Sequence, residues 1–276
     1  MPSLPSIFDR GSDAISPTAH YTGQVWLRNG LSDPALGTWQ GRVLHAGAAP
    51  LLAASKLAGG PTLESFLLAR HRLIDRILTE GIEDGSISQI VEIASGMSPR
   101  GLRFRRRHPD VVYVEADLPA MAERKRAALA ALGTPIRVAD LDALTDRGPG
   151  SIAELGASLD AEAGTAFVSE GLLNYFPRED VIGIWGRIAS ALARFPAGLY
   201  VSDLHLRSGN SGPLERAFGA ALGTFVRGSV HFPFADEEDA SAELERAGFA
   251  MVELHNGSEE SDEPGAERVE VIEART

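Results

Sequence analysis

Cysteine is absent from this 276-residue chain. That excludes disulfides, thiolate zinc sites and a cysteine nucleophile, and says nothing of compartment. Positive charge is in deficit. The 26 Lys and Arg face 38 Asp and Glu, for a formal net charge of -12. Such a chain repels nucleic acid and anionic membrane, so neither is an expected partner. The one dense basic run, "RFRRRHP" from Arg103 to Pro109, reads as the exposed face and end of a helix. Long apolar runs are missing too. No segment reaches the ~18 apolar residues of a membrane span, and the first thirty or so lack a basic-then-apolar export pattern. A cytoplasmic protein is the expectation. No histidine or carboxylate cluster shows metal-ligand spacing, so no metal is expected. A G-x-S-x-G elbow is also missing, which disfavours a serine hydrolase of the α/β type.

What is present is an ordinary globular balance, 44% apolar and 23% charged, in a chain long enough for one large domain or two small ones. From Gln89 onward, short β-branched runs alternate with amphipathic segments. Strands are expected at "QIVEIA", "VVYVEAD", "IRVADL", "TAFVSE", "GLYVSDL", "FAMVELH" and "RVEVIEA". The first five have apolar centres, as strands covered on both faces do. Their alternation with helical patterns predicts right-handed crossovers and a doubly wound, mostly parallel, Rossmann-like α/β sheet. The last two runs, joined by "NGSEESDEPGAE", predict an antiparallel hairpin at the edge of this seven-stranded sheet. Residues 1–88 read as an N-terminal helical extension or lid over the sheet's carboxyl edge, its main helix at "TLESFLLARHRLIDRILTEGI". Residues 89–276 read as the ligand-binding unit with an insertion at 206–235, the whole forming one integrated domain.

In such sheets ligands lie outside the carboxyl ends of the strands, at the switch point. The loop "ASGMSPRG" after the first strand lacks the Gly-Lys-Ser/Thr of a triphosphate loop. It also departs from G-x-G-x-x-G: Ala94 stands at the first glycine, and Ser98 and Pro99 break the rest. A nucleoside ligand without phosphate, S-adenosylmethionine, fits better. Its site needs a tight loop for the amino-acid portion and an acid for the ribose hydroxyls. Glu115 and Asp117 end the second strand, Asp140 and Leu141 the third, and Glu170 and Gly171 the fourth. Helix capping explains any one of these acids; the set points to a ligand. An NAD(P)-dependent oxidoreductase, with Asp117 on the cofactor ribose, and a non-catalytic scaffold of the same fold are the alternatives.

Together, "QIVEIASGMSPRGLRF", "VVYVEADLPAMAERKR", "RVADLDAL" and "VSEGLLNYFP" resemble, in order and spacing over roughly residues 60–205, the leucine carboxyl methyltransferase family. That family holds phosphatase-subunit carboxyl methyltransferases and bacterial O-methyltransferases of polyketide pathways, such as the tetracenomycin type. The resemblance implies S-adenosylmethionine as cofactor and methylation of a carboxylate or phenol. It further implies that Arg70 pairs with the methionine carboxylate and that Asp75 braces its helix. Ala94 and Gly96 would form the loop under the amino acid, and Asp117, beside Leu118, would accept the ribose hydroxyls. Asp140 and Leu141 would hold the adenine. Glu170, beside Gly171, would sit near the methionine amino group, with Tyr175 walling the cleft. His71 replaces the family's threonine beside the arginine. No segment near the N-terminus matches the lysine-bearing segment of the phosphatase enzymes, so a small-molecule acceptor is expected.

A carboxylate acceptor is ionised at neutral pH, whereas a phenol, with a pKa of about 10, profits from a base. The candidates are His205, His20 and Tyr21. His205 lies two residues beyond Asp203, on the same strand face; the alternative is that Asp203 caps the next segment and His205 is a loop residue. His20 and Tyr21 lie in the extension, where Tyr21 and Trp26 would otherwise serve as anchors. His231, Phe232 and Phe234 either line the pocket or pack the insertion. Apart from a ligand role, Arg70 has a surface salt bridge to Asp75 or Glu64 as its ordinary explanation.

Overall fold

The computed structural model describes residues 17–57, 60, 62–208 and 231–276. The first sixteen residues and most of the 206–235 insertion lie outside them. Seven strands form: β1 Gln89–Ile93, β2 Val112–Asp117, β3 Arg137–Asp140, β4 Thr165–Ser169, β5 Gly198–Leu204, β6 Met251–Asn256 and β7 Glu270–Arg275. They join in one sheet in the order β3-β2-β1-β4-β5-β7-β6. The first five are parallel. The edge hairpin is present, but β7 inserts between β5 and β6 and runs against both. The order reverses between β1 and β4, which makes their carboxyl ends the switch point.

The helix expected before the sheet is α3, Leu63–Glu83, after α1, Pro17–Arg28, and α2, Trp39–Leu57. A capping box between Thr62 and Ser65 starts α3, satisfying amides that a helix N-terminus leaves unpaired. Phe66, Ala69, Leu73, Ile77 and Leu78 recur at helical spacing and are buried. They pack with Ile90, Ala166, Val168, Leu199 and Val201. Thus α3 covers a sheet face rather than the carboxyl edge, because its apolar stripe needs the sheet's apolar face. Gly81, near its end, lies against Ile87 and close to Leu199 at the start of β5. The first half of α3 therefore rises toward the carboxyl ends, carrying Arg70 and His71.

Between strands lie α4 Arg100–Arg107, α5 Pro119–Ala131, α6 Ile152–Ala157, α7 Arg178–Leu192 and α8 Glu237–Ala247. The opposite sheet face, with Val91, Phe167, Tyr200 and Ile272, is covered by Ile152, Trp185, Ile188 and Leu244. The sequence patterns do not mark α8, although Asp236 caps it and Gly248, at φ 115°, ends it. The insertion is closed at its base, where the Arg207 and Ser208 amides donate to the Phe234 and Ala235 carbonyls. Among the described residues, no helix is long and apolar enough to cross a membrane.

Candidate functional site

Leaving β1, the chain turns at Ala94 (φ 54°) and Gly96 (φ 49°). Among the described residues Ala94 is the one non-glycine with positive φ. Ala94 thus holds a left-handed backbone conformation that ordinarily favours glycine. The Gly96 amide donates to Asp117 Oδ2 at 2.7 Å and the Leu118 amide to Oδ1 at 2.8 Å. Burial pushes the Asp117 carboxyl up, against the pull of these two amides. Ser95 Oγ, within the loop, is buried and has no hydrogen-bond partner among the described residues.

Beneath the loop lies a buried ion pair. Lys125 Nζ, on α5, donates to the Ser98 carbonyl at 2.6 Å and the Gly96 carbonyl at 3.3 Å. It stands 3.0 Å from Glu115 Oε2, with both side chains fully buried. Burial raises Glu115 to about 7 despite the lysine. Glu115 thus supports the loop from below rather than standing with Asp117 as a ligand group.

On the other side of the switch point is a buried network of arginines and acids. Arg70 Nε donates to Glu170 Oε1 and its Nη1 to Asp203 Oδ2, each at 2.9 Å. Its partners are therefore neither Asp75 nor Glu64, and it is not a surface residue. Its Nη2 donates to none of the described residues. Glu170 Oε2 also accepts from His71 Nδ1 at 2.8 Å and Arg100 Nη2 at 2.5 Å. Burial opposes ionisation of Glu170, but His71, Arg70 and Arg100 hold it well below the usual carboxylate range.

Arg100 is wholly buried and also donates to Glu92 (2.6 Å) and Asp75 (2.7 Å). Tyr113 donates to Glu92 at 2.9 Å. Arg103 joins Asp75 and reaches His71 Nε2 at 2.7 Å. Asp75 thereby ties α3 to α4.

Asp203 does not cap the following segment. Its Oδ1 accepts from the Gly171 amide at 2.7 Å, with Gly171 in a left-handed turn at φ 68°. Against its burial, Arg70 and then His205 hold Asp203 below the ordinary aspartate value. His205 Nε2 lies 3.6 Å from Asp203 Oδ2, and its ring packs on Phe66, 5.2 Å between centroids.

Several residues fall elsewhere. Asp140 is the direct register partner of Asp117, yet its side chain is half exposed and paired with Arg126. The Leu141 amide is taken by the Asp117 carbonyl at 2.8 Å, and its side chain is in the core. Both the amide and the side chain of Leu141 are thus used within the protein.

Tyr21 is 1% exposed and stacks on His45 at 5.8 Å. Burial, then Glu64, pushes its phenol up to about 12. A phenol so enclosed serves as an anchor for α1. His20 Nδ1 meets Thr38 Oγ1 at 2.9 Å, and burial followed by Arg124 lowers its pKa. Tyr175 ends a short 3-10 turn, Leu173–Tyr175, and is half-buried. Its neighbour Asn174 exchanges two hydrogen bonds with His231, at 2.8 and 2.7 Å. Phe234 is fully buried and stacked on Trp185 at 4.7 Å, so packing decides its role.

Sequence patterns miss Arg100, Arg103 and Lys125. Arg100 carries a usable signal: it is the first residue of α4, where the positive end of the helix dipole disfavours a cation. An arginine there requires carboxylates around it. Arg106 and Arg107, further along the same run, are exposed as expected.

The chemistry of this crevice is specific. Three arginines, 70, 100 and 103, face four carboxylates, 75, 92, 170 and 203. Ser95 Oγ lacks a partner, and each Asp117 oxygen keeps a lone pair. These groups fit the hydroxyls and charged amino acid of a nucleoside sulfonium, and they offer no cradle of amides for a diphosphate.

The family model for leucine carboxyl methyltransferase matches residues 32–189. A protein of Mycolicibacterium vanbaalenii named "Putative S-adenosyl-L-methionine-dependent methyltransferase" is 35% identical over 139 residues, covering 46% of this chain and 44% of that protein. One of the same description from Frankia alni is 39% identical over 114 residues, 40% of this chain and 36% of its own. The chain thus aligns with less than half the length of each of these two relatives. The solved structure of a "putative methyltransferase" from Thermobifida fusca YX superposes with a TM-score of 0.65 at 16% identity, covering 98% of this chain and 99% of that one. That likeness concerns the fold.

Proposed function

Because the chain belongs to the leucine carboxyl methyltransferase family, we propose that it is an enzyme transferring methyl from S-adenosylmethionine to a carboxylate or phenolic oxygen of a small molecule. The observation that carries this reading is the buried Arg70, fixed between Glu170 and Asp203 with one guanidinium nitrogen left for a ligand. The names of the two curated relatives point to the same cofactor. When bound, S-adenosylmethionine supplies a methyl carbon made electrophilic by positive sulfur.

The protein's own part is binding and orientation. Asp117 accepts the ribose hydroxyls while keeping the amides of Gly96 and Leu118, because a carboxylate has about four acceptor positions. Arg70 Nη2 meets the amino-acid carboxylate, and Glu170 Oε1, which accepts one bond from Arg70, takes the ammonium. The Arg100 contacts hold Glu170 still, which limits the reorganisation required for in-line attack. An acceptor carboxylate arrives ionised. A phenol needs a proton removed, and His205, its ring beside the Asp203 carboxylate, is the base placed to do so.

Calorimetric titration with S-adenosylhomocysteine, NAD and NADP tests the cofactor. Binding of the first alone is the expected result; binding of a nicotinamide nucleotide alone would replace this reading with the oxidoreductase. Transfer of labelled methyl to a panel of carboxylic acids and phenols tests the reaction. Arg70→Lys should weaken S-adenosylhomocysteine roughly tenfold, since lysine keeps the charge and loses the fork.

A further inference from the structure

The edge hairpin carries a cluster that the proposed reaction does not use. Glu253 on β6 stands directly opposite Glu273 on β7, an unfavourable arrangement for like charges. His255, two residues on, projects from the same face. The ligand atoms of Glu253, His255 and Glu273 all lie within 4.8 Å of one another. His255 Nε2 is 2.9 Å from Glu273 Oε2. The other ring nitrogen, Nδ1, lies 3.4 Å from Glu259 Oε2.

Glu259 is itself fixed, by the Asn256 amide at 2.9 Å and Arg76 Nη2 at 2.6 Å. A carboxylate on the far nitrogen is the arrangement that orients a metal-bound imidazole. Glu253 is exposed, and no described residue pairs with it. Arg275 occupies the remaining Glu273 oxygen, Oε1, at 2.8 Å, so Oε2 is the one turned toward the cluster.

We propose that Glu253, His255 Nε2 and Glu273 bind a divalent transition-metal ion, with Glu259 as the outer partner of the imidazole. One nitrogen and two carboxylates with an open fourth position suit Zn2+; the all-oxygen cations Mg2+ and Ca2+ gain little from an imidazole. The ion relieves the Glu253/Glu273 repulsion and clips β6 to β7. This departs from the expectation of no metal, because the third ligand is 18 positions beyond the histidine and only strand register brings it near.

The test uses the full chain stripped with EDTA, titrated calorimetrically with ZnCl2 and with MgCl2, and melted with and without Zn2+. One Zn2+ per chain, a Zn2+-dependent rise in Tm and no response to Mg2+ are expected. Glu253→Gln, which breaks no side-chain hydrogen bond or ion pair among the described residues, should weaken Zn2+ at least tenfold and abolish the rise. His255→Gln should do the same. The proposal is overturned if the wild-type chain takes up no Zn2+, which would leave His255 and Glu273 as a plain hydrogen-bonded pair. It is equally overturned if both variants bind Zn2+ as the wild type does, which would place the ion on other histidines.

Discussion

Arg100 Nη2 and Glu170 Oε2 meet at 2.5 Å, the arginine side chain wholly buried and that of the glutamate 5% exposed. This contact bolts the loop after β1 to the loop after β4 across the switch point. Arg100→Met leaves Glu92, Asp75 and Glu170 facing one another without their shared cation. Removing one partner of a buried pair costs about 3–5 kcal/mol, and urea denaturation should show a loss of that size. A loss below about 1 kcal/mol, the range of exposed pairs, would mean that the network is not integral to the fold.

Asp117 and Asp140 are register neighbours with different surroundings, and they should respond differently. Asp117→Asn keeps an acceptor for one loop amide but loses the charge, and should weaken S-adenosylhomocysteine by roughly tenfold or more, about 1.4 kcal/mol. Asp140→Asn breaks only an exposed pair with Arg126. Its effect on stability should stay within about 1 kcal/mol, and its effect on binding should be several-fold smaller than that at Asp117. Equal losses in calorimetry would restore Asp140 to the adenine site.

Ala94 holds a left-handed conformation that costs an L-residue roughly 1–2 kcal/mol. Ala94→Gly relieves that cost and adds flexibility to the unfolded chain, which takes back about half to one kcal/mol. The variant should melt at or slightly above the wild-type temperature and bind S-adenosylhomocysteine unchanged. A clear drop in Tm would show that the alanine methyl makes contacts worth more than the strain.

Glu270 supplies a pH signature. Burial first, then Glu237 and Glu259, raise it from 4.5 to about 7, against a hydrogen bond from Asn256. Between those values the unfolded chain has released this proton and the folded chain still holds it. Its contribution to stability therefore falls as pH rises from about 4.5 to about 7, then levels. Glu270→Gln keeps an oxygen for Asn256 and does not titrate. Its Tm advantage over wild type should grow from pH 5 to pH 7 and stay constant to pH 8; a gap independent of pH would contradict the assignment.

The sequence alone determined the architecture. Runs such as "GLYVSDL" match β5 residue for residue, since β-branched apolar stretches between helical patterns have few other places to go. It also determined that acids end the strands, as Asp117 and Glu170 do. Tertiary structure decided which of those acids face the crevice. Glu115 and Asp117 share a strand face, but the burial of Lys125 turned Glu115 into a support. Asp140 turned outward because Arg126 from α5 met it. Arg100 became the hub of the site because three carboxylates from α3, β1 and the loop after β4 converge on it. Periodicity and local spacing record how a residue fits its own element. The partner of a buried charge is chosen by whichever distant element packs against it, and no local pattern in the chain encodes that choice.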